Sequence, residues 1–227
     1  MKTTTYLSQK IGRIKITVQS NHVTINTERL ELRSLNQDSQ DALIKNYNSL
    51  LSNPANVAFF CEGKPWEERR VEKLITTNIT NWQNGEQFCT FSVNDAQSHQ
   101  FIGSLDLHLA LSDFATTGNG HENAVEIGYI FEKAFWGQGF GTHTALVAKK
   151  YVKHVLAEQE TPLDNPPKEI VATVHPDNLG SLKILQKTLK NREANILTKF
   201  GGNPRFLFFK PLKPLTSEAI ERITLEY

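Results

Sequence analysis

Three glycines stand at alternate positions in the segment WGQGFG, residues 136–141, between an apolar stretch and a helical pattern that begins near Phe140. The amino terminus of a helix carries unpaired N–H groups and the positive end of the helix dipole, and both attract phosphate. Side chains at Gly139 and Gly141 would obstruct the approach of a phosphate to the backbone. The segment therefore predicts a loop that binds a pyrophosphate.

Two other phosphate-binding motifs also use closely spaced glycines. A P-loop, GxxxxGK[ST], needs a lysine after its last glycine, whereas Thr142 and His143 follow here. A dinucleotide fingerprint, GxGxxG, follows a strand directly and has an acid about 20 residues later. In this chain the spacing is GxGxG and EKAF separates it from the strand, although Glu158 and Glu160 lie near the required distance. The missing lysine argues against the first motif, and the second fits less well than a bare helix amino terminus.

Glu126 is an acid within the nearly continuous apolar run NAVEIGYIF. A carboxylate in such a strand either pairs with a cation or takes part in chemistry, because burying it alone is costly. It is therefore a candidate general base. The alternatives are a structural ion pair and a side chain that faces solvent.

The histidines do not predict a metal site. No two of them stand at i and i+4 with an acid between them, and HExxH is absent from the sequence. His175 follows a short buried strand and could assist proton transfer, because imidazole titrates near neutrality. We expect no metal cofactor.

The segment VEIGYIFEKAFWGQGFGTHTA resembles the acyl-coenzyme-A-binding segment of the GCN5-related N-acetyltransferases (GNAT), in particular the branch that includes the ribosomal-protein N-terminal acetyltransferases. A second segment, VATVHPDNLGSLKILQK, is similar to the N-x-x-S segment of that family through Asn178 and Ser181. The similarity in element order covers about residues 27–210. The chain departs from the family pattern at His143, where an acid is common, and at TLKNRE, which replaces Gly-Phe. The helix after Asn178 also lacks the tyrosine that many members use as a proton donor.

This resemblance implies an N-acetyltransferase that moves an acetyl group from acetyl-CoA to a primary amine by direct attack. The acceptor would be a protein N-terminus or a small amine. The resemblance implies Glu126 as the base, a backbone N–H at Ile130 or a neighbour as the donor to the thioester carbonyl, and Ser181 or a water as the source of the thiolate's proton. The cofactor contacts that it implies are Ile130, Trp136, Gly137, Gln138, Gly139, Gly141, Thr142 and Asn178.

The identity of the acceptor depends on a different part of the chain. The acceptor cleft would lie between two early helices and the loop SDFATTGNGHEN, and Asp113, Glu122 and Glu126 would make it acidic enough for a small cationic amine. The alternative function is a non-catalytic CoA-binding or interaction module with the same fold, because a fold does not determine an activity.

Hydrophobic periodicity places these residues in a single α/β domain with a mixed, mostly antiparallel sheet flanked by helices. The predicted order from residue 27 to 227 is strand, two helices, three strands, helix, strand, helix and two strands, with one strand–helix–strand crossover that ends at EIVATV. Residues 13–18 and 23–25 alternate polar and apolar, so residues 1–26 are predicted to form a hairpin extension.

Composition limits the partners and the compartment. The 227 residues include 25 Lys and Arg against 24 Asp and Glu, a net charge of +1 that gives no reason to expect nucleic acid or an anionic membrane. No apolar run approaches the roughly 20 residues that span a bilayer, which predicts a soluble protein. Cys61 and Cys89 form no CxxC pair, which favours a cytoplasmic location. We expect a monomer or a homodimer.

Overall fold

The protein is described by a computed structural model over residues 1–110, 121, 123–158 and 166–212. The strands in these ranges are β1 (Lys2–Ser8), β2 (Gly12–Gln19), β3 (His22–Asn26), β4 (Leu30–Ser34), β5 (Phe91–Asp95), β6 (Phe101–Ala110), β7 (Ala124–Phe131), β8 (Glu169–Val174), β9 (Asn191–Lys199) and β10 (Asn203–Pro211). The helices are α1 (Gln40–Leu51), α2 (Pro54–Val57), α3 (Glu68–Gln83), α4 (Phe140–Glu158) and α5 (Leu179–Thr188).

All ten strands join one sheet in the order β1-β2-β3-β4-β5-β6-β7-β8-β10-β9. Every neighbouring pair is antiparallel except β7 and β8, which are parallel because α4 connects them as a crossover. This arrangement confirms the predicted mixed, mostly antiparallel α/β fold and the position of its single crossover.

The parallel strands β7 and β8 separate soon after they meet. They pair only at Ala124 with Glu169, Val125 with Ile170 and Glu126 with Val171. Beyond that point β8 continues to pair with β10 as far as Val174, and β7 continues to pair with β6 as far as Phe131. A gap therefore opens in the sheet directly after Glu126.

The amino-terminal extension has three strands, one more than the sequence pattern predicts. The predicted hairpin forms as β2 and β3, and β1 pairs with β2 along seven residues. Thr4 and Tyr6 are the buried residues of β1. Because threonine is polar, the period-two pattern of this strand is not visible in its hydrophobicity.

Helices cover both faces of the sheet around the gap. Tyr47 of α1 is buried, and its hydroxyl oxygen lies 3.0 Å from Ser104 Oγ on β6. The other face carries α4 and α5, and Gly141 of α4 lies close to Phe131 on that face. Within the described ranges, no helix combines the length and the apolar character needed to cross a bilayer. Asp113 and Glu122, the predicted acidic residues of the acceptor loop, lie outside the described residues.

Candidate active site

Two glycines of the loop before α4 have a backbone conformation that other residues rarely adopt. Gly137 and Gly139 have φ values of +76° and +86°, in the left-handed region that favours glycine. The N–H of His143 donates to the Gly139 carbonyl at 3.0 Å and closes the first turn of the helix. The N–H groups just before it have no partner one turn back in the helix and can bind an anion.

Gly141 also lies against a second helix. A Cβ atom at this position would lie 2.7 Å from Ile184 Cδ1, so the absence of a side chain allows α4 to pack closely against α5. The predicted contact of this glycine with a phosphate stays a prediction.

Polar contacts hold the loop in shape. Trp136, which is 46% exposed, donates from Nε1 to the Phe131 carbonyl at 2.8 Å, and Gln138 donates from Nε2 to the Ala134 carbonyl at 2.9 Å. Arg29 donates from Nη2 to the Gln138 carbonyl at 2.8 Å. No sequence pattern predicts this role of Arg29, because the residue precedes Gln138 by 109 positions and no local pattern connects the two.

Two predicted site residues lie at the amino-terminal end of α5. Asn178 caps the helix through its Oδ1, which accepts from the N–H of Ser181 at 3.0 Å. Ser181 Oγ lies 3.0 Å from the hydroxyl oxygen of Tyr129 on β7. Burial holds the pKa of this tyrosine well above its usual range, so its hydroxyl keeps its proton. The helix after Asn178 contains no tyrosine, but Tyr129 of the neighbouring strand β7 brings a tyrosine hydroxyl to Ser181.

The strand register identifies which N–H groups of β7 face the gap. Glu132 donates to the Ile102 carbonyl of β6 at 3.0 Å, and Lys168 donates to the Asn123 carbonyl at 2.7 Å. Because the direction of N–H groups alternates along a strand, the N–H of Ile130 points towards β6 and that of Tyr129 points towards β8. The predicted donor, Ile130 or a neighbour, is therefore better matched by its neighbour Tyr129.

Glu126 lies at the last paired position of β7 and β8, with its side chain 7% exposed. Its carboxylate accepts from Lys199 Nζ at 2.9 Å and from Thr173 Oγ1 at 3.1 Å, and it lies 3.1 Å from His108 Nε2. Burial would raise the pKa of this carboxyl. The hydrogen bond from His108 and the charges of Lys199 and His108 outweigh burial and lower the pKa to about 2. Such a carboxylate is ionised at neutral pH and is a weak base.

His108 stands directly opposite Glu126 across β6 and β7. Its Nδ1 lies 3.3 Å from Asp106 Oδ2. Burial opposes its charged form, but the hydrogen bonds to Asp106 and Glu126 outweigh burial and raise the pKa of His108 to about 10. The ring is therefore an imidazolium at neutral pH, which excludes His108 as a base there.

The remaining histidine of interest, His175, lies just after β8. Its Nδ1 accepts from the N–H of Asp177 at 3.2 Å, and its ring centroid lies 5.3 Å from that of Phe59. Across the part of the chain that the structure describes, no group of three His, Cys, Asp or Glu side chains has an arrangement that could hold a metal ion.

Comparison with known proteins assigns the family. The sequence model of the acetyltransferase (GNAT) domain matches residues 29–188. Since this segment is more than half of the 227 residues, the chain belongs to the GNAT acetyltransferase family. The resemblance seen in the sequence is thus confirmed.

Solved structures with the same fold support this assignment. A GNAT-family acetyltransferase from Bacillus anthracis is 17% identical with a TM-score of 0.58, and the match covers 83% of this chain and 97% of that chain. An acetyltransferase from Agrobacterium tumefaciens is 15% identical with a TM-score of 0.59, covering 85% and 94%. The ribosomal L7/L12 alpha-N-protein acetyltransferase RimL, solved in complex with coenzyme A, is 15% identical with a TM-score of 0.55, covering 82% and 96%. At these identities the likeness concerns the fold.

Proposed function

We propose that this protein transfers an acetyl group from acetyl-CoA to a primary amine and that the favoured acceptor is the α-amine of a protein or peptide. The observation that carries the proposal is the position of the helix mouth, which is the amino terminus of α4 together with Gly137 and Gly139 before it. Gly141 in the first turn of this helix lies beside Phe131 of β7 and Ile184 of α5, and β7 and α5 border the gap. A diphosphate bound at this mouth would leave its thioester arm within reach of Ser181 and Tyr129 across the gap. The RimL structure that shares the fold contains coenzyme A.

The cofactor would be held by the backbone N–H groups at the start of α4 and by the guanidinium of Arg29, which already lies against the loop. Asn178 and Ser181 would border its pantetheine arm. When bound, acetyl-CoA supplies an activated acetyl thioester. The N–H of Tyr129 would then donate to the thioester carbonyl oxygen, where negative charge develops during attack.

The amine acceptor and the cofactor would bind on opposite faces of β7. Because side chains alternate along a strand, Glu126 projects to the face opposite Tyr129. We therefore place the amine on the Glu126 face and the cofactor on the α4–α5 face, with attack through the gap in the sheet. The general-base role of Glu126 stays a prediction. Its low pKa fits a carboxylate that attracts and orients the amine better than one that removes a proton.

A weak base at this position favours an acceptor of low pKa. An α-amine has a pKa of about 7.7–8.0, so roughly a quarter of it is neutral at pH 7.4, whereas about 0.1% of a lysine-type amine is neutral. We therefore expect kcat/KM to rise with pH in step with the pKa of the acceptor. A kcat/KM profile that instead rises with an enzyme group between pH 5 and 6, whatever the acceptor, would support proton removal by a carboxylate or an imidazole.

The test of the function is the release of free coenzyme A from acetyl-CoA in the presence of a panel of peptides and amines. We expect turnover with unblocked peptides and none with the same peptides carrying an acetylated amino terminus. Thermal stabilisation by acetyl-CoA without turnover of any acceptor would contradict the enzyme and leave a CoA-binding module. Stabilisation by ATP or NAD in place of acetyl-CoA would contradict both.

Tyr129→Phe tests the source of the thiolate's proton. We expect kcat to fall about tenfold with little change in KM for acetyl-CoA, since the Tyr129 hydroxyl supports Ser181 and does not hold the cofactor. Ser181→Ala should have a similar effect, and the double variant should be no slower than the worse single variant because the two hydroxyls act together. Additive losses in the double variant would show that the two act separately.

A further inference from the structure

A cavity of about 720 Å³ lies between the amino-terminal extension and the start of α4. The turn between β1 and β2, residues Ser8 to Gly12, forms one wall. Gly139, Thr142 and His143 form a second wall, and Lys187 at the end of α5 forms a third. Gly139 and Thr142 belong to the candidate cofactor site, whereas the turn precedes the segment 29–188 that matches the family domain.

Contacts between β1 and the carboxy-terminal half of α4 hold this turn in place. The hydroxyl of Tyr6 on β1 lies 2.9 Å from Nδ1 of His154, and both side chains are buried. Lys150 Nζ lies 3.6 Å from the centroid of the Tyr6 ring, and Lys2 forms an ion pair with Glu158. The strand β1 therefore lies along α4, and its final turn reaches the amino-terminal end of the helix.

The cavity and its surroundings are rich in positive charge. Lys10, Arg29 and Lys187 line it, and Glu28 is the one carboxylate among the lining residues. Nearby, burial and the charges of neighbouring lysines, which include Lys10, together lower the pKa of Lys149 to about 8. Positively charged side chains this close together create a positive electrostatic potential, which attracts an anion.

A buried polar atom at the cavity also lacks a partner. His143 lines the cavity and is 5% exposed, and its Nε2 has no hydrogen-bond partner among the residues that the structure describes. Buried polar atoms in native proteins are nearly always paired, so such an atom at a cavity indicates a missing ligand. Burial and the charge of Arg29 lower the pKa of His143 to about 4, so the ring is a neutral imidazole that can donate to a phosphate oxygen.

We propose that this cavity binds a phosphomonoester, the 3′-phosphate on the ribose of coenzyme A, through Lys10 of the amino-terminal extension, Lys187 and His143. The inference rests on the proposed function. Gly139 and Thr142 are shared between this cavity and the helix mouth, so a nucleotide whose diphosphate occupies the mouth has its ribose beside the cavity. The extension would thus make the protein selective for cofactors that carry the third phosphate.

The proposal is tested by titration calorimetry of the full chain with acetyl-CoA and with its 3′-dephospho analogue. We expect the wild type to bind acetyl-CoA about tenfold more tightly than the analogue. A difference of this size is what two exposed charge-assisted contacts to a phosphate contribute to the binding free energy. In the double variant Lys10→Ala/Lys187→Ala this preference should fall to about twofold, while the Kd of the analogue stays unchanged. Lys15→Ala removes an exposed lysine of β2 that does not line the cavity and should behave as the wild type.

Other outcomes overturn the inference in distinguishable ways. If the wild type binds acetyl-CoA and the double variant keeps the full preference, or loses affinity equally for both ligands, the phosphate site is absent and the proposed function is unaffected. If inorganic phosphate raises the melting temperature of the wild type but not of the double variant, while the cofactor preference is the same in both, the cavity binds free phosphate. If the wild type binds neither cofactor, the proposed function fails and this inference fails with it.

Discussion

Lys199→Met is expected to lower the free energy of unfolding by about 3 kcal/mol at pH 7. The ammonium of Lys199 lies 2.9 Å from the carboxylate of Glu126, and the two side chains are 13% and 7% exposed. Removing one partner of a buried ion pair costs roughly 3–5 kcal/mol, because the remaining charge is left without compensation. We expect the lower end of that range, since His108 and Thr173 still contact Glu126. Urea denaturation measures the loss.

The matched control for this prediction removes the other charge. We expect the double variant Glu126→Gln/Lys199→Met to lose less stability than the sum of the losses in Glu126→Gln and Lys199→Met.

The same ion pair predicts a dependence of stability on pH. Glu126 has a folded pKa of about 2, below its ordinary 4.5. The contribution of ionised Glu126 to the stability of the folded state is therefore present above about pH 4.5 and is lost as the pH falls towards 2. The difference between wild type and Lys199→Met should shrink over that window, and a constant difference would contradict the ion-pair explanation.

Gly139→Ala is expected to weaken acetyl-CoA binding about thirtyfold. An L-residue at a φ of +86° is strained by about 1–2 kcal/mol, and a Cβ atom here would also lie 3.3 Å from Arg29 Nη1. The loop can relieve the strain only by turning its N–H groups away from their present direction. Hydrogen bonds to a charged group are worth roughly 1.5–3 kcal/mol each, so losing the alignment of one accounts for the expected change in Kd. Calorimetry with acetyl-CoA measures it.

Gly201→Ala is the control for the backbone strain. Gly201 lies in the turn between β9 and β10 with a φ of +74°, and a Cβ atom there would meet nothing within 4 Å. Both variants should lose about 1 kcal/mol of stability, but Gly201→Ala should keep the wild-type Kd for acetyl-CoA. Equal effects of the two variants on Kd would mean that the affinity follows overall stability and not the geometry of the helix mouth.

Several features of the candidate site were predictable because they depend on neighbouring residues. The left-handed conformation at Gly137 and Gly139 is a local property of glycine, and the capping of α5 by Asn178 involves a residue three positions away. The resemblance at WGQGFG and at Asn178 and Ser181 pointed to the family that the domain match confirms. Alternation and helical spacing likewise predicted the single crossover between β7 and β8.

The features that the sequence did not reveal all concern which groups meet across the fold. Ile184 on another helix lies beside Gly141, whose contact with the cofactor stays a prediction. The sequence left the carbonyl donor open between Ile130 and a neighbour, and the pairing of β6 with β7 turns the N–H of Ile130 away from the gap. The strand β1 was missed because its stability comes from pairing with β2 and packing against α4 rather than from its own hydrophobic pattern.

By itself the sequence determined the family and most of the strands and helices, because these depend on residues that are close along the chain. Only the tertiary structure decided the chemistry around those elements. The carboxylate of Glu126 became ion-paired because the sheet brought Lys199 from 73 residues away, and Ser181 gained a tyrosine partner because α5 packs beside β7. Contacts of this kind depend on strand register and helix packing, and no local pattern of residue types encodes either one.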